Sequence, residues 1–254
     1  MWNKPQLMTA VSDLLFVAAA AALLVAALVW GARLPLFPLR EVVVTNELRE
    51  VRRGELERSL AGRLRGNFFS INLDALRLSI EQLPWVRRAE VRRQWPSRIE
   101  VGIEEHLPVA FWGQSTGQLV NSYGEVFVAA MSIPPPGTMP LLQGPTGMAP
   151  EMLSHYQQAE EILKPLGRVP RALYVSPRLA VQLRLDDGMV IELGRQQAKA
   201  PVRERLERFV EYYPSVLSAA GQRPSVVDMR YPNGFALRVN APAATPAIGN
   251  KGKP

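Results

Sequence analysis

LPWVRRAEVRRQWPSRIEVGIEEHLPVAFW, residues 83–112, is the stretch that decides the fold of the first half of the chain. Within 98–104 every second residue, namely Ile99, Val101 and Ile103, is apolar, which is the period of a strand with one buried face. Residues 86–91 show a similar but less regular alternation, and a Trp-Pro-Ser turn at 95–97 separates the two runs. The stretch therefore predicts a β-hairpin.

The residues before this hairpin predict one further strand and two helices. Residues 39–45 form a β-branched run that is typical of a strand. Within 51–64 leucine recurs every fourth residue among Arg and Glu, which predicts an amphipathic helix. Asn72 is placed to cap a second helix that continues to Leu83. The predicted element order is therefore β-α-α-β-β, in a domain over residues 34–106.

The second half of the chain predicts a separate mixed β domain over residues 107–240. Short apolar runs predict several strands, with hairpin turns at Asp187-Gly188 and Asn233-Gly234. Two amphipathic helices are expected, over 151–166 and after Pro201. Residues 131–150 are rich in Pro and Gly, so we expect them to be mostly irregular, and we expect the tail, 241–254, to be disordered. The predicted fold class is thus α+β.

An uncharged apolar run of 17 residues, 14–30, predicts a single transmembrane helix within 14–33. At about 1.5 Å per residue the run spans roughly 26 Å, which is close to the hydrocarbon thickness of a bilayer. A cleaved signal peptide and a buried core helix are the alternatives, but the run is longer than a usual signal-peptide core. Long domains translocate largely regardless of charge, so we expect residues 1–13 in the cytoplasm and the chain after Leu34 outside it.

The composition argues against an enzyme active site. The chain has no cysteine, which excludes a thiol nucleophile, a cysteine zinc site and an iron–sulfur centre. Its two histidines, His106 and His155, are not at metal-ligand spacing, and the sequence has no P-loop or dinucleotide-binding glycine motif. The net charge of +7 is spread along the chain. We therefore expect no enzymatic activity, cofactor, metal, small-molecule substrate or nucleic-acid partner.

The last predicted strand, 235–239, is the candidate partner-binding site. Because a structureless tail follows it, we expect it at a sheet edge, where unpaired N–H and C=O groups can accept a strand from another chain. The alternative is an edge that Arg238 and the tail merely protect. The residues alone leave both interpretations open.

The β-α-α-β-β order, the string LPWVRRAEVRRQWP and the continuation EEHLPVAFW resemble the POTRA domain of the bacterial FtsQ/DivIB cell-division family. The strings LVNSYGEVF, LGR, RLERFVEYYP and DMRYPNGFALR are similar to successive parts of that family's second, β domain. The resemblance covers almost the whole chain, including the leading apolar helix. It implies a non-enzymatic, single-pass inner-membrane scaffold of the divisome, with its domains in the periplasm at the septum, that helps to control septal peptidoglycan synthesis.

The resemblance also implies partners and site residues. In the family, the last strand and its hairpin neighbour receive a periplasmic segment of FtsB, within a complex that contains FtsL. Val239 stands where some relatives have a tryptophan, and residues 83–91 are implied to help recruit other divisome proteins unless Trp85 and Val86 are simply core. The implied partner-binding residues, taken by position, are Arg195, Tyr231, Asn233, Gly234, Phe235, Ala236, Leu237 and Val239.

A second function class has to be weighed against this one, since POTRA domains also occur in receptors of outer-membrane protein assembly or secretion. Such proteins place their POTRA domains before a transmembrane β-barrel, which needs many alternating segments of about 10 residues. Too few such segments fit into 107–239, where two helices are also predicted. The sequence therefore favours the divisome scaffold.

Overall fold

A computed structural model of the 254-residue chain describes residues 5–33, 38–64, 66–113, 117–129, 133–220, 223–231 and 234–239. The chain divides into two compact units, Met1–His106 and Leu107–Pro254. Both units contain strands and helices, which confirms the predicted α+β class. The tail that we expected to be disordered, 241–254, lies outside the described residues.

The first element is the long helix α1, Pro5–Arg33. It begins before residue 14, where the sequence placed the start of the apolar run. Its segment Met8–Gly31 is long and apolar enough to cross a membrane, and none of the apolar window is buried within the protein. Helix α1 is therefore compatible with a membrane-spanning segment.

The rest of the first unit has the predicted β-α-α-β-β order. The side chain of Asn72 accepts a hydrogen bond from the backbone N–H of Ala75, as the predicted helix cap requires. Both helices are shorter than the apolar pattern suggested. The elements are β1 (Glu41–Val44), α2 (Arg53–Ala61), α3 (Leu73–Glu81), β2 (Val86–Gln94) and β3 (Arg98–Glu105).

These three strands form one sheet in the order β1-β3-β2. Strands β2 and β3 pair antiparallel, which confirms the predicted hairpin, and β1 runs parallel to β3. Alternate residues of β3 are buried, namely Ile99, Val101 and Ile103. Trp85 and Val86 are also buried, so their side chains belong to the core of this unit.

The second unit contains a nine-stranded sheet and two helices. The helices are α4 (Ala149–Leu163), which continues into a short 3-10 helix at Lys164–Leu166, and α5 (Val202–Ala220). The strands are β4 (Pro108–Trp112), β5 (Gln118–Asn121), β6 (Val126–Val128), β7 (Leu141–Gln143), β8 (Pro170–Val175), β9 (Ala180–Leu185), β10 (Val190–Arg195), β11 (Val226–Asp228) and β12 (Ala236–Arg238).

The strand order of this sheet is β12-β11-β10-β9-β8-β7-β4-β5-β6. Apolar side chains of α4 and α5 pack with alternate residues of the central strands into one core, whose largest buried members include Met152, Leu183 and Phe209. The first and last strands of the sheet, β12 and β6, are its two edges.

Residues 131–150 are mostly irregular where the structure describes them, as predicted. They also contain β7, which pairs parallel with β4 on one side and β8 on the other. Leu142 of β7 is fully buried. The Pro-rich and Gly-rich segment therefore contributes an internal strand to the sheet.

Candidate functional site

Strand β12 lies at the edge of the sheet, as the sequence predicted. It pairs antiparallel with β11, with Leu237 opposite Val227 and Ala236 opposite Asp228. The backbone N–H and the hydroxyl of Ser225 both donate to the carbonyl of Arg238, at 2.8 and 3.0 Å. No strand within the described part of the chain pairs with the other side of β12. That side can therefore accept a further strand.

The side chains of the last strand divide between two faces. Phe235 and Leu237 are half-buried and pack against the core of the unit. Ala236 and Arg238, which alternate with Leu237, are exposed, and so is Val239, which follows β12. Phe235 and Leu237 thus fix the strand to the sheet, which leaves its backbone and its exposed side chains for a partner.

Arg195 ends β10, and its side chain is exposed. Within the described ranges its guanidinium forms no hydrogen bond or ion pair. An exposed arginine without an internal acceptor is suited to a bidentate contact with an external carboxylate.

The position of Arg195 is set by Arg205 of α5, a residue that sequence reasoning missed. Arg205 is only 3% exposed, and its guanidinium donates to the backbone carbonyls of Leu193 and Arg195 and, at 2.7 Å, to that of Ala200. Burial, with a smaller effect of Arg208, lowers the pKa of Arg205 from its usual value. The carbonyl dipoles thus stabilise the buried guanidinium, which ties the end of β10 to α5.

Gly194 allows this close packing. The register between β9 and β10 shifts between Glu192 and Gly194, and Gly194 has a φ of +71°, which disfavours other residues. A Cβ atom here would lie 2.9 Å from Cγ of Arg230 and 3.1 Å from Nη1 of Arg205. The positive φ therefore favours glycine at this position of the LGR string, and the missing Cβ atom leaves room for the two arginine side chains.

Arg230, at the end of β11, forms a charged cluster on the exposed sheet face. Its guanidinium contacts both carboxylate oxygens of Asp228, at 2.8 and 2.5 Å, and lies 3.2 Å from the carboxylate of Glu192. These hydrogen bonds lower the pKa of Asp228 below its usual value. Glu192, Asp228 and Ala236 are paired across three adjacent strands, so the cluster directly borders the edge strand.

Tyr231 follows this cluster and is 55% exposed. Its backbone carbonyl accepts a hydrogen bond of 3.2 Å from Arg208 of α5. The turn between β11 and β12 passes through Asn233, which lies outside the described residues, to the half-buried Gly234. The tyrosine ring is therefore presented to solvent from a backbone that α5 holds.

The structure brings the two separate strings of predicted residues together. A Cβ atom on Gly194 would lie against the side chain of Arg230. Gly194 precedes Arg195 in the chain and Arg230 precedes Tyr231, so the strings that contain the two predicted residues lie side by side. Sequence reasoning missed Arg205, Asp228 and Arg230. Asp228 and Arg230 are two residues apart, and residues at that spacing share one face of a strand. The sequence could therefore have indicated that these two side chains form an ion pair.

The two histidines lie in different parts of the structure. His106 follows β3, at the junction of the two units, and His155 is exposed on α4. Among the residues that the structure describes, no group of three or more His, Asp or Glu side chains could hold a metal ion.

Comparison with known sequences gives consistent matches over both units. Residues 37–106 match the model of the POTRA domain, FtsQ-type, and residues 110–230 match that of Cell division protein FtsQ/DivIB, C-terminal. Proteins named Cell division protein FtsQ are 38% identical in Nitrosospira multiformis, over 94% of this chain and 99% of the relative, and 35% identical in Burkholderia pseudomallei, over 94% of each. The protein of that name in Escherichia coli is 32% identical over 79% of this chain and 72% of its own length.

These relatives support a role in cell division rather than in outer-membrane assembly. The two family matches follow one another along the chain in the order that the sequence resemblance implied. The chain therefore belongs to the FtsQ/DivIB family of bacterial cell division proteins.

Proposed function

We propose that this protein is a non-enzymatic scaffold of the divisome whose terminal edge strand binds FtsB, in a complex with FtsL, and so helps to control septal peptidoglycan synthesis. Helix α1 anchors the chain in the inner membrane, with the first residues in the cytoplasm and both units in the periplasm at the septum. The open outer side of β12 is the observation that carries this proposal.

Strand addition at β12 is the binding mode that this edge favours. Backbone hydrogen bonds to the outer side of β12 would supply affinity independent of the partner's side chains, and the flanking residues would supply specificity. Phe235 and Leu237 are anchored in the core, so the strand is already ordered before the partner binds. A preordered edge loses less conformational entropy on binding than a flexible segment would.

Arg195 and Tyr231 supply the specific contacts in this proposal. The Arg195 guanidinium is exposed and unpaired within the described ranges, so it would pair with a carboxylate of the incoming segment. Tyr231 would provide a rigid aromatic anchor, a residue type that often dominates binding energy at interfaces. Asn233 and Gly234 would shape the turn beside the added strand.

The membrane part of the proposal rests on α1 and on the family. Segment Met8–Gly31 meets the length and composition of a membrane span. A scaffold held at the membrane would keep its partner-binding edge close to other anchored division proteins, which raises their effective concentration.

Tyr231→Ala in the full-length protein, reconstituted in lipid nanodiscs, tests the proposed site. We expect the periplasmic part of the FtsB–FtsL complex to bind about tenfold more weakly, because a rigid anchor is lost from the interface. Thermal unfolding should be nearly unchanged, because the ring is more than half exposed. Binding is measured by interferometry with the complex in solution.

Tyr123→Ala is the matched control, since Tyr123 is 58% exposed and lies near the opposite edge of the same sheet. This variant should bind the complex like the wild-type protein. Equal affinity of the wild type and Tyr231→Ala would refute Tyr231 as a contact. Equal weakening by both tyrosine variants would refute the choice of edge.

A further inference from the structure

The first unit contains a further open strand edge, that of β1, beside a groove of about 1050 Å³. Strand β1 is an edge of the three-stranded sheet, and on its outer side no strand pairs with it in the described ranges. The groove runs along β1 and is bounded on the far side by α2, through residues such as Leu56 and Leu60. An extended segment could therefore pair with β1 while its side chains contact the helix.

The groove has an apolar floor that the fold leaves incompletely covered. Val42 and Val44 are paired with Ile99 and Val101 in the parallel register, so they point to the same sheet face as those buried residues. Ile99 and Val101 are fully covered, whereas Val42 and Val44 remain half-buried. The two valines are spaced to contact alternate side chains of an added strand.

The shape of the groove is fixed by the loop between β1 and α2. The carboxylate of Glu105 accepts hydrogen bonds from the backbone N–H groups of Arg49, Glu50 and Val51, at 2.9, 3.1 and 2.7 Å. Asn46 exchanges two hydrogen bonds with the backbone of Ile103. These contacts tie the loop that connects β1 to α2 to the residues of β3, so the two walls of the groove are joined by an ordered loop.

The charges around the groove favour a basic ligand. The lining side chains include the carboxylates of Glu41, Glu47 and Glu57 but a single guanidinium, that of Arg53. Glu41 pairs with Arg98 at 2.9 Å. Glu47 and Glu57 have no ion-pair partner among the described residues, so they are available to a cation on the ligand.

The groove also lies close along the chain to the candidate membrane span. Strand β1 begins at Glu41, which is 10 residues after Gly31, the last residue of that span. Ten extended residues reach at most about 36 Å. A ligand for this groove is therefore most readily supplied by a segment that itself lies near the membrane surface.

We propose that the groove between β1 and α2 binds an extended juxtamembrane segment of another membrane-anchored protein. The segment pairs with β1, places apolar side chains at alternate positions against Val42 and Val44, and carries Lys or Arg beside them for Glu47 and Glu57. This site is separate from β12. The statement that the segment lies near the membrane depends on the membrane anchoring proposed above. Strand addition to β1 does not depend on it.

The test uses the full chain in lipid nanodiscs and a fluorescent peptide, acetyl-KVTVTVK-amide, followed by anisotropy. We expect saturable binding that weakens with salt, because the groove's carboxylates attract the lysines. The charge-reversed peptide, acetyl-EVTVTVE-amide, should bind about tenfold more weakly at low salt. Two peptides carry methyl groups on one or the other alternate set of backbone nitrogens. The peptide whose methylated set faces β1 should not bind, since methylated amides cannot donate to β1, and the other should bind.

Val44→Lys is the protein variant, and Val128→Lys, at an exposed valine of edge strand β6, is its matched control. Val44→Lys should weaken binding about tenfold by placing a cation in the apolar floor, and Val128→Lys should leave binding unchanged. Intact FtsB–FtsL binding by Val44→Lys would show that the variant is folded and that the two sites are distinct.

Several results would overturn the proposal. The proposal is refuted if the lysine and glutamate peptides bind equally, or if binding survives methylation of the backbone nitrogens that face β1. It is also refuted if Val44→Lys binds the lysine peptide with full affinity, or if no peptide shows saturable binding. If Val44→Lys changes only self-association of the chain, the occupant is a second copy and the proposal fails. A peptide fused to a transmembrane helix in the same nanodisc should bind more tightly than the soluble peptide, and the opposite result would refute the membrane origin.

Discussion

Strands β12 and β6 end the same nine-stranded sheet at opposite edges, and neither pairs with a strand on its outer side among the described residues. Strand β6 exposes more apolar surface, since Val126 and Val128 are 42% and 57% exposed. Strand β12 instead turns Phe235 and Leu237 toward the core. An open backbone is therefore common to both edges, and the surrounding side chains must decide which edge receives a partner.

The turns beside the two edges are stabilised in different ways. Next to β6, the fully buried Asn121 bonds the side chain and backbone of Glu125 and the backbone of Tyr123, at 2.7, 2.8 and 2.9 Å. Two strands in from the opposite edge, β12, the buried Arg205 holds the end of β10 and leaves Arg195 exposed. The first arrangement satisfies its polar groups internally, whereas the second presents a cation to solvent.

Arg205→Met is expected to give the largest effect at the β12 end. It removes the donors to the carbonyls of Leu193, Arg195 and Ala200, so the free energy of unfolding should fall by about 2–4 kcal/mol. Affinity for the FtsB–FtsL complex should fall as well, because Arg195 loses its fixed position. Urea unfolding and complex binding of the same preparation measure the two effects.

Asn121→Ala sharpens the comparison, because it removes the corresponding buried polar group at the β6 end. It should destabilise the protein by about 1–3 kcal/mol and leave FtsB–FtsL affinity unchanged. Arg203→Met, at an exposed arginine paired with Glu207, should cost under about 0.5 kcal/mol. If Arg205→Met behaved like Arg203→Met, Arg205 would have no positioning role.

Ala236→Lys and Val126→Lys compare the edges themselves. A lysine on an edge strand opposes the addition of another strand, so Ala236→Lys should weaken FtsB–FtsL binding about tenfold. Val126→Lys should have no effect on that binding. Titration of each variant with the purified complex measures the difference. A loss of affinity only in Val126→Lys would reverse the assignment of the two edges.

The hairpin of β2 and β3 could be predicted because its pattern is local. Alternate residues of β3 face one core, and the pairing strand is separated from it only by a short turn. Strand β7 could not be predicted in the same way. It lies between Pro-rich and Gly-rich residues, and its partners, β4 and β8, come from distant parts of the chain. Its formation depends on tertiary neighbours rather than on its own sequence.

The edge strand of the candidate site was also predictable, since it follows a strong hairpin signal and precedes a tail poor in bulky apolar residues. Arg205 was not, because a helix pattern assigns an arginine to the solvated face. Its burial depends on carbonyl groups exposed at the bulge around Gly194, which pairing geometry creates and sequence periodicity does not report.

Asp228→Asn should give the smallest effect, and it tests whether the charged cluster matters to the β12 edge. The hydrogen bonds from Arg230 lower the pKa of Asp228, so the native carboxyl releases its proton at a lower pH than the unfolded one. The resulting stability is present above the unfolded pKa of about 3.9 and is lost as the pH falls through the native value. Because Arg230 is largely exposed, the effect at pH 7 should stay below about 1 kcal/mol.

Urea unfolding of the wild type and Asp228→Asn, at pH 7 and again below the native pKa, measures this contribution. The two proteins should differ at pH 7 and converge in acid, where the wild-type carboxyl is also neutral. Arg230→Met should remove the same pH-dependent term, and the double variant should lose little beyond Arg230→Met, because Asp228 acts through its pair with Arg230. A difference that persists unchanged in acid would mean that Asp228 stabilises β11 by packing, and the charged cluster would then not distinguish the β12 edge from the β6 edge.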